Sequence, residues 1–273
     1  MSRVGLAVLG AVLVVAGGAV LLWPTWSESE ATTQLDRITA VRLAGDSGDV
    51  QVRHVPGGSG RVVQHRSARF WDGGGGTAHR VEGGTLVLAD CGPRCHVDYE
   101  VELPTPVPVT GTLDSGRLRV AGMGEVRAEV GSGGIDITDI AGPVAVRTGS
   151  GSVSVRGVSG PVEARTGSGD IDVERVDGRL EAETGSGGIS GEVGSEDVVA
   201  ESRSGDVRLR LTRPRHAALT TGSGEIDLSV PAERYRVESS TGSGDVELGV
   251  AQDPAAERHL ELSSGSGDIR VRS

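Results

Sequence analysis

The sequence predicts an all-β fold: a parallel β-solenoid of ~18-residue two-strand coils with an N-terminal β cap, preceded by one transmembrane helix. Three observations carry this. A Gly-Ser-Gly motif recurs as GSGGIDI from Gly131, GSGSVSV from Gly149, GSGDIDV from Gly167 and GSGGISG from Gly185. It continues as RSGDVRL from Arg203, GSGEIDL from Gly222, GSGDVEL from Gly242 and GSGDIRV from Gly265. The first four intervals are 18 residues each and the later ones 19, 20 and 23. Such fixed-period self-similarity is the signature of stacked repeats. Second, apolar residues keep their columns. After each turn stand Ile135, Val153, Ile171, Ile189, Val207, Ile226, Val246 and Ile269, and two places on Ile137, Val155, Val173, Leu209, Leu228, Leu248 and Val271, with Gly191 as the one gap. Polar residues lie between them, so each segment alternates with the period of a strand that buries one face. Third, the chain holds 44 Gly but only six aromatic residues, so β-branched and small side chains must fill the interior.

From the N-terminus, the 19-residue run Val4–Leu22 carries no charge. As a helix it spans roughly 28 Å, close to the hydrocarbon thickness of a bilayer. Trp23 and Trp26 suit the membrane interface, and Arg3 before the run against Glu28, Glu30 and Asp36 after it directs the following chain outward. Residues 1–26 therefore read as a membrane anchor, with a cleaved signal peptide as the competing reading. The expected localisation is the cell membrane, single-pass, with the C-terminal part extracytoplasmic. Residues 27–34 read as a linker.

Residues 35–110 read as the N-terminal β cap. They contain one repeat-like unit (SGDVQV from Ser47), the pair Phe70–Trp71, a glycine loop at 73–76 and strand-like runs at 85–89 and 96–103. Pro104, Pro106 and Pro108 separate this segment from the solenoid repeats of 111–273. In each coil a second strand precedes the turn, with Val126, Val144, Val162, Leu180 and Val198 in one inward column. Thr148, Thr166, Thr184, Ser202, Thr221, Thr241 and Ser264, just before the turns, should stack as a hydroxyl ladder. Right-handed winding follows from the crossover preference of parallel strands. Asp253–Glu257 reads as a capped single turn. The last strand, Ile269–Val271, is expected to form an open edge, a candidate point for β-augmentation or edge-to-edge self-association.

The N-terminal membrane segment, the Ser-Gly-Asp unit near residue 47, the Cys-containing strand pair, the proline-bearing stretch and the tandem GSGDI-type strands together resemble a bacterial family. It is the putative-adhesin family of β-strand-repeat proteins, a domain of unknown function. The likeness covers roughly residues 35–273. It implies an envelope-associated β-solenoid and brings no set of functional residues.

Chemistry is sparse. Cys91 and Cys95 flank a turn, and outside the membrane a disulfide is the leading reading. A metal site including His96 and a pair of free thiols are the alternatives. Asp170, Asp206, Asp245 and Asp268, with Glu225, recur after GSG. They differ in register and period from calcium-binding β-roll repeats, leaving solvated turn carboxylates as the main reading and weak Ca²⁺ binding as the other. The six His (54, 65, 79, 96, 216, 259) look scattered. GDSGD from Gly45 and GGGGTA from Gly73 lack the context of a protease or a nucleotide site.

Residues 27–273 carry all 38 acidic residues and all but one of the 27 Arg, which disfavours nucleic acid. The expected protein is non-enzymatic and cofactor-free. It is a cell-envelope scaffold or adhesin-like protein presenting a repeat surface to an envelope protein, a cell-wall polymer or a surface ligand, and touching the membrane through residues 4–22. A carbohydrate-active enzyme on a β-helix scaffold is the alternative.

Overall fold

Among the described residues, alternating apolar and polar residues build 26 strands, arranged as two sheets of 13 strands each. The computed structural model describes residues 26–69, 77–92 and 95–273. The run Val4–Leu22, Phe70, Trp71 and the glycine loop at 73–76 lie outside the described residues. Among the described residues, no helix is long and apolar enough to cross a membrane.

Between Val126 and Leu211 the chain passes back and forth between the sheets, and each strand lies parallel to the one a full coil away. In one sheet Val126, Val144, Val162, Leu180 and Val198 are successive partners. In the other the series is Leu118, Ile135, Val153, Ile171, Ile189 and Val207. The inward residues are sealed: Ile171 and Val173 are both 0% exposed, while Asp172 between them is open to solvent. A single coil could not bury this face. Stacking pairs its backbone groups and buries its side chains in one step.

The hydroxyl column stacks in register, Thr148, Thr166, Thr184, Ser202 and Thr221 being successive partners. Thr166 Oγ1 donates to Gly151 O of the neighbouring coil at 2.9 Å, and Thr148, Thr184 and Ser202 repeat the bond to Gly133, Gly169 and Gly187. Each of these hydroxyls thus ties its strand to the turn of the preceding coil rather than to another hydroxyl. The turn needs glycine: Gly169 has φ 143°, and a Cβ there would stand 2.3 Å from Gly151 O. Gly191, the gap in the apolar column, has the same cause. Its φ is 140°, and a Cβ would meet Val173 O at 1.7 Å.

Both ends depart from sequence order. Strands Ala40–Ser47 and Val50–His54 form a coil that sits inside, between Pro108–Ser115 and Leu118–Ala121 on one side and Thr85–Ala89 and Cys95–Leu103 on the other. Antiparallel strands cover the outermost coil: Gly60–Arg69 on Cys95–Leu103, and His79–Glu82 on Thr85–Ala89. Residues 27–34 are not a linker. They lie within strand Trp26–Leu35, antiparallel to Gly60–Arg69, with Ala31, Thr33 and Leu35 turned inward by degrees. A polar, acidic edge strand has the composition of a linker, which is why the sequence pattern hides it.

At the far end the final strands, His259–Ser264 and Ile269–Arg272, do not form the open edge. They insert between His216–Thr221 and Ile226–Ser229 on one side and Arg234–Thr241 and Val246–Leu248 on the other. The outermost coil is therefore 234–248. Inward residues explain the order. Leu260, Leu262, Ile269 and Val271 are buried, whereas their outer partners Val237, Ser239 and Leu248 are half-buried and Val246 is 42% exposed. The more apolar coil takes the interior place. The segment between the two coils spans the extra distance, pairing Ala251–Gln252 with Arg234–Tyr235 and turning at Asp253, whose Oδ1 accepts from Ala255 N.

Candidate functional site

The repeat that builds the core also builds the surface, because every outward residue stands in register with its counterparts in adjacent coils. Glu129, Arg147, Arg165, Glu183 and Glu201 form one outward column. Arg165 joins three carboxylates: Glu163 and Glu181, both at 2.6 Å, and Glu183 at 3.1 Å. The hydrogen bond to Glu181 is the largest influence holding its guanidinium above the usual value. On the opposite sheet Arg156 pairs with Glu174 at 3.4 Å, and Ser190 Oγ donates to Asp172 at 2.6 Å. The depressions on these faces are troughs between side-chain rows, such as the one lined by Thr110, Arg127, Glu129, Ala145 and Arg147.

The turn carboxylates are engaged with the backbone. Asp170 Oδ1 accepts from Gly188 N at 2.8 Å, Asp206 from Glu225 N at 2.9 Å and Asp268 from Asp245 N at 3.0 Å. The amide of Glu225 foremost, with Arg208 beside it, holds the Asp206 carboxyl below the usual range. These residues cap the adjoining coil, and among the described residues no three of them converge as cation ligands.

Cys91 and Cys95 are disulfide-bonded, with Cα atoms 5.5 Å apart. His96 lies beside Asp98 at 3.2 Å. The neighbouring cap holds a buried polar group: His79 Nδ1 is 3.2 Å from Gln64 Oε1 and Nε2 is 3.0 Å from Thr33 Oγ1. Burial lowers the pKa of His79. Tyr99 stands edge-on to that ring at 6.3 Å, and its hydroxyl donates to Ala89 O at 2.8 Å. Burial raises the Tyr99 pKa well above its ordinary value.

Two of the six histidines are not scattered. His216 and His259 are register partners on adjacent strands, with ring centroids 5.7 Å apart. Each precedes its Gly-Ser-Gly turn by six residues, a shared column that alignment on the turn could have exposed. Their adjacency additionally required the out-of-order last coil, which spacing does not reveal.

No curated protein matches the chain. Among solved structures it is similar to a putative cell adhesion protein from Clostridium sporogenes, with 12% identity, 90% of this chain and 99% of that chain covered, and a TM-score of 0.27. It is similar also to a putative adhesin from Bacteroides fragilis, with 9% identity, 91% and 98% covered, and a TM-score of 0.32. A putative adhesin from Parabacteroides merdae shows 11% identity, 89% and 96% covered, and a TM-score of 0.32. The family described as Toastrack DUF4097 matches residues 31–273, nearly the whole β-structure. The chain belongs to the Toastrack DUF4097 family.

Proposed function

We propose that this protein is a non-enzymatic, adhesin-like scaffold of the cell envelope that offers the ladder faces of its solenoid to a partner. The observation that carries this reading is the register of the outward columns. Charged and hydroxyl side chains occupy fixed columns at the coil spacing, so a partner with its own repeat can meet a polar group at each coil. Repetition multiplies weak contacts into useful avidity, and a rigid stack loses little freedom on binding. A repeating cell-wall polymer fits such a face, as does an envelope protein that lies along it. The uncharged run Val4–Leu22 supports a membrane anchor, and the Cys91–Cys95 disulfide suits the oxidising side of that membrane.

The test is capture by the full chain from solubilised envelope, run beside a glycan array. Retention of a discrete polymer or protein, lost when Arg165 and Arg156 are changed to Glu, supports the reading. Turnover of an array glycan would favour a carbohydrate-active enzyme and overturn it.

A further inference from the structure

We propose that His216, His259 and Glu261 form a binding site for a first-row divalent transition-metal ion, with Zn²⁺ as the type. The two imidazoles project outward from adjacent parallel strands, alternating with the buried Ala217 and Leu260. Glu261 follows on the same face as His259, and its Oε1 lies 3.2 Å from His259 Nδ1 and 3.7 Å from His216 Nε2. One donor atom from each residue falls within 4.8 Å of the other two. Ligand atoms around a tetrahedral ion with bonds of about 2.1 Å stand roughly 3.4 Å apart, so the spacing needs little adjustment.

The remaining ring nitrogens strengthen the assignment. His216 Nδ1 is 3.3 Å from Asp197 Oδ1. His259 Nε2 is buried, makes no hydrogen bond, and lies 3.4 Å from Glu238 Oε1. Each imidazole thus has a carboxylate on the side away from the proposed ion, hydrogen-bonded at His216 and only close by at His259, the side from which carboxylates orient metal-bound histidines. Two imidazoles with one carboxylate favour Zn²⁺, Co²⁺, Ni²⁺ or Cu²⁺ over Ca²⁺ and Mg²⁺, which prefer all-oxygen shells. The adjacent trough, lined by Arg215 and Glu257, leaves room for water as a fourth ligand.

The ion would bridge His216–Thr221 to His259–Ser264, the seam where the last coil enters between two others. Metal binding would therefore pin the inserted coil, an effect separate from partner recognition by the ladder faces.

The experiment uses the full chain without a polyhistidine tag, stripped with chelator and titrated calorimetrically with Zn²⁺ alone. Co²⁺ substitution then reports nitrogen ligation through its visible absorption. One equivalent of Zn²⁺ should bind, with a slower hydrogen exchange of strand His259–Ser264. His216→Ala and His259→Ala should each weaken binding by at least about tenfold, a loss on the scale of an outer partner or larger. Glu261→Gln should weaken it too, and His96→Ala should leave it unchanged. Circular dichroism shows whether each variant is folded, and if His259→Ala is not, the Co²⁺ spectrum of His216→Gln decides. No binding at millimolar Zn²⁺, or binding unchanged in folded His216 variants, would overturn the proposal.

Discussion

Ile226 and Ile269 are in-register partners on neighbouring parallel strands, while Val246, which lies between them in sequence, sits on the far side of Ile269. The amide of Ile269 donates to Asp245 O at 2.9 Å, so the last coil is hydrogen-bonded on both sides. Val246 belongs to the outermost strand of its sheet, with no further strand beyond it among the described residues.

Proline should therefore discriminate the two positions. Ile269→Pro removes an interior donor and a buried side chain, and should cost on the order of 3–5 kcal/mol. Val246→Pro falls on an edge, where proline is tolerated, and should cost less than about 1 kcal/mol. If the outer strand pairs with a second copy, Val246→Pro should also reduce association. Thermal melts and analytical ultracentrifugation measure both. Equal destabilisation would contradict the observed coil order.

The inward column should dominate stability. Ile171→Ala leaves a cavity in a sealed position and should cost on the order of 2–5 kcal/mol. Asp172→Ala, on the outer face, should shift stability by no more than about 0.5 kcal/mol despite its bond from Ser190. Denaturant titration of the two variants side by side would reveal any error in the facing.

Thr166→Val keeps the volume of the side chain and removes only the bond to Gly151 O. The expected loss is about 1 kcal/mol. Similar losses at Thr148 and Thr184 would establish the hydroxyl as a repeated tie between coils, whereas unchanged melting at all three would show the bonds to be incidental.

Acid should loosen the cap. Burial depresses the pKa of His79 in the folded chain, and its ring contacts Thr33, Gln64 and Tyr99, none of them charged. The unfolded chain then takes up a proton first, below about pH 6.5. The contribution of neutral His79 is fully present above that pH and is lost as pH falls toward the lower folded value. Melting curves between pH 7.5 and 5 should show a wild-type decline that is smaller in His79→Gln. A parallel decline in the two proteins would remove His79 as the cause.

The anchor reading makes a topological prediction. Protease added to intact spheroplasts should degrade the β-structure while the chain fractionates with membrane. A soluble product starting near Ser27 would point instead to cleavage after residue 26.

The solenoid body was legible because its physics is local. The Ile171 and Val173 columns, the glycine turns and the strand alternation all follow from one coil and its copies. The ends were not, since their order depends on competition between coils for the interior. Ser239 opposite Leu262 was the available clue that 234–248 is the less apolar, outer coil. Strand Trp26–Leu35 was hidden by its acidic, polar composition, and the pairing of His216 with His259 by the same crossover that inverted the coils.

That crossover also bears on synthesis. The coil containing Leu260 and Ile269 leaves the ribosome after the coil that must finally lie outside it. Stacking from the N-terminus can proceed only to about Ser229 before it must wait. Residues 234–248 can take their final place only once the following stretch arrives to be enclosed. A fragment ending at Gln252 should accordingly keep its earlier coils and leave Tyr235 and Val237 open to a nicking protease, a difference that limited proteolysis of the fragment and the full chain would display. Arrival of strands His259–Ser264 and Ile269–Arg272, rather than coil-by-coil addition, is what shuts the coil 234–248 into place.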